Sequence, residues 1–300
     1  MPSTAISDSL QPAGAPAETG PKIELRTDSV SIPVKLCNLP PLNAVASQVL
    51  SLTADPNVEL YQISRVIEGD PAFAADILML ANSPLFGFPS RMQVLRHAIA
   101  LLGIERVKAL AVTVAMRGFL GKRSPLGHQC WQHSVACALV SEEISAIFNL
   151  PGGQAYTAGI MHDIGRLGLL QAYPKEMAAV LSAQYEDACD ILLAEQEALK
   201  VDHARAGAWL AGTWGLPEVF SEICAHHHGA PSVGDSEVLE LVRAACSIAD
   251  AIGFPAAQGQ QLPAYAEAAA PLAPRLRGAT LRPAEDLLAR VTARLKSFES

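Results

Sequence analysis

Histidine and aspartate occur in the second half of the chain in positions that could bind metal ions. The residues are His133, the pair His162-Asp163, His203, the run His226-His227-His228, and Asp250. Each falls on or at the end of a segment whose apolar spacing predicts a helix. Imidazole and carboxylate are ligands for Zn, Fe and Mn, and an aspartate can bridge two metals. The set predicts a metal centre, with His162 and Asp163 pointing about 100° apart on one helix.

Ordinary structural roles are the alternative for several of these residues. A single histidine is usually a surface or hydrogen-bonded core residue, and His97 and His128 are interpreted in that way. We expect His228 to face solvent, while His226 and His227 reach a metal from a helix end. We also expect the acidic residues of the same region to form a solvated face, namely Asp187, Asp190, Glu195 and Glu197.

The cysteines show no metal or redox motif, because none lies in a Cys-x-x-Cys pair. We expect them to be reduced thiols in the cytosol and to act as small core residues. The six positions are Cys37, Cys130, Cys137, Cys189, Cys224 and Cys246.

Composition excludes several classes of protein. The 300 residues include 22 Lys and Arg and 30 Asp and Glu, so the net charge is 22 − 30 = −8. An acidic balance argues against nucleic-acid binding, which needs a basic face, and 50% hydrophobic residues exclude a wholly disordered chain. No run approaches ~18 apolar residues, and residues 1–21 lack the features of a signal peptide. We therefore expect a cytoplasmic protein that does not enter a membrane.

The elements that must position the histidines are all predicted to be helices. We expect a flexible tail over residues 1–22, five short helices over 28–122, a domain of longer helices over 126–254, and a loop with a closing helix over 255–300. The second domain includes one continuous helix over 155–170. No segment alternates with the period of a strand, so we expect an all-α fold without a β-sheet.

Ordered motifs along the chain resemble a known family. His162-Asp163-Ile164-Gly165, preceded by Ala158-Gly159-Ile160-Met161, resembles the signature of the HD superfamily of metal-dependent phosphohydrolases. The other motifs are Leu39-Pro40-Pro41-Leu42, Asp70-Pro71, Ala81-Asn82-Ser83-Pro84, His97-Ala98-Ile99 with Leu102-Gly103, Trp131-Gln132-His133-Ser134, the stretch from His203 to Leu210, Trp214-Gly215-Leu216-Pro217 and His226-His227. Together they resemble the HDOD family, a signalling output domain, from roughly Val30 to Pro231. The resemblance implies an N-terminal five-helix bundle packed on an HD-like helical domain.

The related HD-GYP phosphodiesterases imply a division of the metal ligands. By that resemblance Asp163 bridges two ions. His133, His162 and Asp250 complete one site, and His203, His226 and His227 complete the other. This set of oxygen and nitrogen donors implies two divalent transition metals, with Fe or Mn preferred to Zn.

Three departures from that branch weigh against phosphodiesterase activity. The segment His228-Gly229-Ala230-Pro231 has no Gly-Tyr-Pro motif, and Gln129 stands where some relatives supply a carboxylate. Arg166 replaces the usual lysine but remains a cation that could hold a phosphate.

Two functions remain open. The first is a regulatory signal-transduction module of the bacterial HDOD type, which binds a signalling protein or a small ligand such as a nucleotide. This function is compatible with a homodimer. The alternative is a metal-dependent phosphohydrolase acting on a nucleotide or cyclic dinucleotide. In the enzyme, the metals bridged by Asp163 would activate water, and Arg166 would stabilise the transferring phosphoryl group.

Overall fold

A computed structural model describes residues 32–53, 55, 57–82, 91–119, 124–185, 188–276 and 280–299. The predicted tail over residues 1–22 lies outside the described residues. From Ile32 onward the chain forms one compact unit. The division into domains at residues 126 and 255 therefore stays a prediction.

The described residues of the N-terminal half form five helices of two or more turns, preceded by one short turn of helix. The bounds are α1 Val34–Cys37, α2 Ala44–Leu52, α3 Leu60–Glu68, α4 Pro71–Ala81, α5 Leu95–Leu102 and α6 Ile104–Phe119. Asn43 caps α2 by accepting the backbone N–H groups of Val45 and Ala46. Asp70 caps α4 in the same way, and Pro71 follows it at the first helical position. The predicted five-helix bundle corresponds to α2–α6.

In the C-terminal half, the part that the structure describes forms ten further helices and two short 3-10 segments. The helices are α7 Pro125–Ile144, α8 Gly152–Met161, α9 Ile164–Ala172, α10 Pro174–Ser182, α11 Ala188–Leu199, α12 His203–Thr213, α13 Glu218–His226, α14 Glu237–Ala251, α15 Tyr265–Ala269 and α16 Ala284–Glu299. The 3-10 segments are Ser145–Phe148 and Ala270–Arg275. The all-α fold class is confirmed. Among the described helices, none is long and apolar enough to cross a membrane.

Two local features differ from the prediction. The expected helix over 155–170 is interrupted, so that α8 ends at Met161 and α9 begins at Ile164. A small parallel ladder also pairs β1 (Gln184–Tyr185) with β2 (Gly259–Gln260). The expectation of no β-sheet was wrong to that extent. Two residues a strand are too few to produce a recognisable period-2 pattern.

Close helix packing brings the histidine-bearing elements together. α8 packs on α6, α7 and α14, and α9 packs on α12. At the crossing of α7 and α8, a Cβ on Gly159 would lie 2.7 Å from the Cα of Ala138. At the crossing of α9 and α12, a Cβ on Gly165 would lie 1.9 Å from the carbonyl oxygen of His203. Glycine is therefore needed at both crossings.

Candidate metal centre

Five elements bring one cluster of polar side chains to the middle of the C-terminal half. Its members are His133 from α7, His162 and Asp163 from the break between α8 and α9, His203 from the start of α12, His227 and His228 from the end of α13, and Cys246 and Asp250 from α14. The caps fix two of these positions. Asp202 accepts the N–H of Arg205 and so starts α12 at His203, while Ser236 accepts the N–H of Leu239 and starts α14.

The cluster contains two groups of three candidate ligands. The first group is His133, His162 and Cys246, and the second is His203, His227 and His228. In the first, the Nε2 atoms of His133 and His162 are 3.2 Å apart, and the Sγ of Cys246 is 3.6 Å from the Nε2 of His133. In the second, the Nε2 atoms of His203 and His228 are 2.8 Å apart. The two groups adjoin, since the ring centroids of His162 and His227 are 5.0 Å apart.

Four of the five imidazoles are held from outside the cluster by their Nδ1 atoms. The Nδ1 partners are the Phe254 carbonyl for His133 (2.8 Å), the Gly159 carbonyl for His162 (2.6 Å), the Cys224 carbonyl for His227 (2.9 Å) and the Glu195 carboxylate for His203 (2.6 Å). Because these acceptors require a proton on Nδ1, each neutral ring presents an Nε2 lone pair to the cluster interior. Metal-ligating histidines are oriented in this manner.

Asp163 lies between the two groups and is almost completely buried. Its Oδ2 accepts the Nε–H of Arg166 at 2.7 Å. Its Oδ1 is 3.5 Å from the Nε2 of His203 and has no hydrogen-bond partner among the described residues. Burial opposes ionisation, but Arg166 and the surrounding histidines hold the pKa of Asp163 below its usual range. One carboxylate oxygen is therefore ionised, buried and available to a cation.

Arg166 and Glu195 form a buried ion-pair network behind Asp163. Arg166 is 2% exposed, and its remaining donors contact Glu195 at 3.3 Å and the Nε2 of His203 at 3.0 Å. Glu195 is fully buried. Although burial alone raises the pKa of Glu195, His203 and Arg166 lower it. The expected solvated position of Glu195 was wrong. The guanidinium of Arg166 is bound within the protein, and its role as a cation that holds a phosphate stays a prediction.

Asp250 lies behind His133, on the side of the ring away from Nε2. Its Oδ1 is 3.2 Å from the Nδ1 of His133. Burial disfavours a charged ring, whereas Cys246 and Asp250 raise the pKa of His133. The structure therefore brings Asp250 to the cluster as a partner of His133, at a distance from the paired Nε2 atoms.

The histidine run at the end of α13 is oriented differently from the prediction. His226 is exposed on the surface, whereas His227 and His228 turn inward. Burial and the neighbouring imidazoles lower the pKa values of His227 and His228, which favours neutral rings. The Nε2 of His227 is buried and has no hydrogen-bond partner within the described part of the chain. The exposed positions of His97 and His128 agree with the ordinary surface interpretation.

Sequence reasoning missed three members of this region, which are Cys246, Glu195 and His228. A signal for Cys246 was present, because it precedes Asp250 by four residues and therefore shares its helix face. In place of the carboxylate that relatives supply at Gln129, the amide of Gln129 donates to the Pro255 carbonyl at 3.1 Å.

The cluster fits a transition-metal centre. Unpaired acceptors inside a protein are costly, and here the Asp163 Oδ1 and the His227 Nε2 lie among facing imidazole lone pairs. A cation placed among them would satisfy these atoms, and imidazole, thiolate and carboxylate are ligands for transition metals.

Comparison with known proteins identifies the family. The HDOD domain model matches residues 39–230. The chain belongs to the HDOD family. The resemblance drawn from the motifs is thereby confirmed, and the match includes every candidate ligand except Cys246 and Asp250.

Solved structures with the same fold include an HDOD domain protein of unknown function from Geobacter sulfurreducens. It is 19% identical, with a TM-score of 0.68 over 87% of this chain and 91% of that one. A candidate phosphohydrolase from Shewanella amazonensis SB2B is 20% identical, with a TM-score of 0.64 over 89% of this chain and 96% of that one. At these identities the likeness shows the HDOD fold alone.

A curated relative extends beyond the matched region. An uncharacterized protein of Treponema pallidum (strain Nichols) is 25% identical over 218 residues, which are 70% of this chain and 42% of that protein. The HDOD chain described here therefore spans about two fifths of the length of that relative.

Proposed function

We propose that this HDOD protein is a regulatory signal-transduction module whose C-terminal half holds two transition-metal ions. The observation that carries the proposal is that four imidazoles are hydrogen-bonded through Nδ1 to groups outside the cluster. Their Nε2 atoms therefore face one buried space, and the four residues are His133, His162, His203 and His227. Such second partners fix the tautomer and orientation of metal-binding histidines.

The proposed ions occupy the two groups of candidate ligands, with Asp163 between them. The donors are mainly imidazole, and this chemistry suits iron or zinc better than manganese. The expected preference for iron or manganese over zinc was based on a ligand set rich in oxygen and nitrogen, whereas Asp250 contacts the far side of His133. The proposed centre is therefore poorer in oxygen ligands than the sequence suggested.

A regulatory role is favoured by the burial of the centre. The exposed fractions of His162 and Asp163 are 1%, and the donors of Arg166 are bound to protein groups. A phosphoester would have to displace these contacts to reach Asp163. A change in metal occupancy would alter the packing of α7, α8, α9 and α12. The proposed partner is a signalling protein or a small ligand whose binding depends on this change in helix packing.

A phosphohydrolase is the alternative, and one observation favours it. His227 lines a cavity of about 270 Å³ that also contacts Arg243, Ser247 and Glu240. The centre is thus adjacent to a space large enough for a small ligand, with a guanidinium at its wall. A bound metal would supply a low-pKa water and Lewis acidity there. His227 would orient that metal, and Arg243, whose guanidinium also pairs with Asp235, would attract an anionic substrate.

Metal analysis with an activity assay tests both functions. Purified protein should contain transition metal, and Asp163→Asn should lose most of it, because the variant lacks the ionised oxygen between the groups. Metal-free wild-type protein would disprove the centre. Phosphomonoesters and cyclic dinucleotides should remain intact with the metal-loaded protein, whereas metal-dependent turnover that is lost in Asp163→Asn would favour the phosphohydrolase over the regulatory module.

A further inference from the structure

We infer that Cys246 is a thiolate ligand, so that the first group is a His₂Cys site selective for thiophilic metals such as zinc or cobalt. The inference rests on the proposed metal centre and names the ligand that completes its first site. It concerns a side chain that the sequence motifs leave unassigned, since the motifs provide histidine and aspartate only.

Two of the three distances among these side chains, both measured from the Nε2 of His133, match a tetrahedral site. With Zn–N bonds of about 2.05 Å and Zn–S bonds of about 2.3 Å, tetrahedral angles put two nitrogens about 3.3 Å apart and nitrogen and sulfur about 3.6 Å apart. The observed separations are 3.2 Å between the Nε2 atoms of His133 and His162, and 3.6 Å between Cys246 Sγ and the Nε2 of His133. All three donor atoms lie within 4.8 Å of one another.

The position of Asp250 supports the assignment. Cys246 and Asp250 lie one turn apart on α14, but only Cys246 reaches the Nε2 side of His133. Asp250 contacts Nδ1 instead, which is where a carboxylate partner of a ligating histidine is found. On this face of α14 the thiol therefore supplies the ligand, and the carboxylate supports the imidazole.

The thiol of Cys246 lies among groups that can interact with a sulfur atom. Cys246 is buried, and its neighbours include the thiol of Cys137 and the imidazoles of His133 and His162. When the cation binds, the thiol proton is released to solvent and the sulfur coordinates as thiolate. Thiolate binds zinc and cobalt well and manganese poorly, so Cys246 sets the selectivity of the site.

Cobalt(II) spectroscopy of the full chain tests the assignment. Addition of Co²⁺ to the metal-stripped protein should produce a thiolate-to-cobalt charge-transfer band and the visible bands of tetrahedral cobalt. Cys246→Ser should abolish the charge-transfer band and weaken Zn²⁺ binding at this site at least about 100-fold. Cys130→Ser is the matched control, because Cys130 is also buried but its Sγ contacts the Ala256 carbonyl at 3.6 Å. The control should keep the band.

The outcomes separate the assignment from the proposed centre. Binding of Co²⁺ without a charge-transfer band would overturn the role of Cys246 and leave the histidine centre standing. An absence of any metal binding would overturn both. If Cys246→Ser does not fold, as judged by far-ultraviolet circular dichroism, the wild-type protein still decides the question, because the band and a strong preference for Zn²⁺ over Mn²⁺ are required of it.

Discussion

Glu195 holds His203 at two points through a single oxygen. Its Oε2 accepts the backbone N–H of His203 at 2.7 Å and the Nδ1–H of the same residue at 2.6 Å. The other oxygen accepts from Arg166 at 3.3 Å. The backbone and the ring of His203 are therefore fixed by one buried carboxylate on α11, which makes Glu195 a positioning residue for the centre.

Replacement of this carboxylate should affect both stability and metal content. Glu195→Gln leaves the buried Arg166 with one carboxylate fewer, so the free energy of unfolding should fall by about 3 kcal/mol. Urea denaturation measures this change, and metal analysis of the folded variant should show partial loss. Glu197→Gln, an exposed substitution on the same helix, should change stability by less than about 0.5 kcal/mol. Equal effects of the two substitutions would argue against the positioning role.

The reversed roles of His226 and His228 give a direct comparison. His228→Ala removes a ring whose Nε2 lies 2.8 Å from that of His203, so the metal content should fall. His226→Ala changes an exposed side chain and should leave the metal content unchanged. Elemental analysis of the two variants, purified side by side, checks the expectation. Retention of metal in His228→Ala together with loss in His226→Ala would support the ligand set implied by the HD-GYP resemblance.

The crossing of α9 and α12 should tolerate no side chain at Gly165. A Cβ there would lie 1.9 Å from the His203 carbonyl oxygen and 2.4 Å from the Gly207 nitrogen. We expect Gly165→Ala to lower the free energy of unfolding by about 3 kcal/mol or more. Gly212→Ala on α12 meets no atom within 4 Å and should stabilise the helix by up to about 1 kcal/mol. Thermal unfolding of both variants tests this contrast.

Alkaline pH should destabilise the protein partly through Tyr156. Burial raises the pKa of Tyr156 to about 12, while its hydroxyl lies 2.9 Å from the Thr113 Oγ1. Because the pKa of Tyr156 is higher in the folded state, the neutral hydroxyl contributes fully to the free energy of unfolding below about pH 10. That contribution is lost as the pH rises towards about 12. Tyr156→Phe should therefore cost about 1 kcal/mol at pH 7 and show a weaker decline in alkali.

The measurement is the free energy of unfolding of Tyr156→Phe between pH 7 and 11, compared with that of the wild-type protein. Tyr61→Phe is a suitable control, since Tyr61 is 54% exposed. Parallel pH profiles for wild type and Tyr156→Phe would show that other groups cause the alkaline loss.

The helical character of the chain could be predicted from apolar spacing and helix caps, and α2–α6 follow those stripes closely. The histidines and Asp163 could also be named, because they lie in ordered family motifs. Ring orientation could not be predicted. Whether His226 or His228 turns inward depends on where α13 ends, and sequence patterns define helix ends poorly.

Glu195 shows a second limit of sequence reasoning. On α11 it belongs to a run of acidic residues, and its neighbour Glu197 is exposed as such a run predicts. Only the tertiary approach of Arg166 and His203 makes burial of Glu195 favourable, because both offset the cost of removing its charge from water. A local pattern contains no information about such distant partners.

The interruption between α8 and α9 has a mechanical consequence. α8 leans on α6 of the N-terminal bundle, and α9 leans on α1 and α12. His162 and Asp163 form the joint, that is, the two-residue connection between α8 and α9. An ion bound at the joint would fix the angle between them, and its departure would free that angle. The chemistry at two adjacent residues would thereby change how α6 is held relative to α1 and α12.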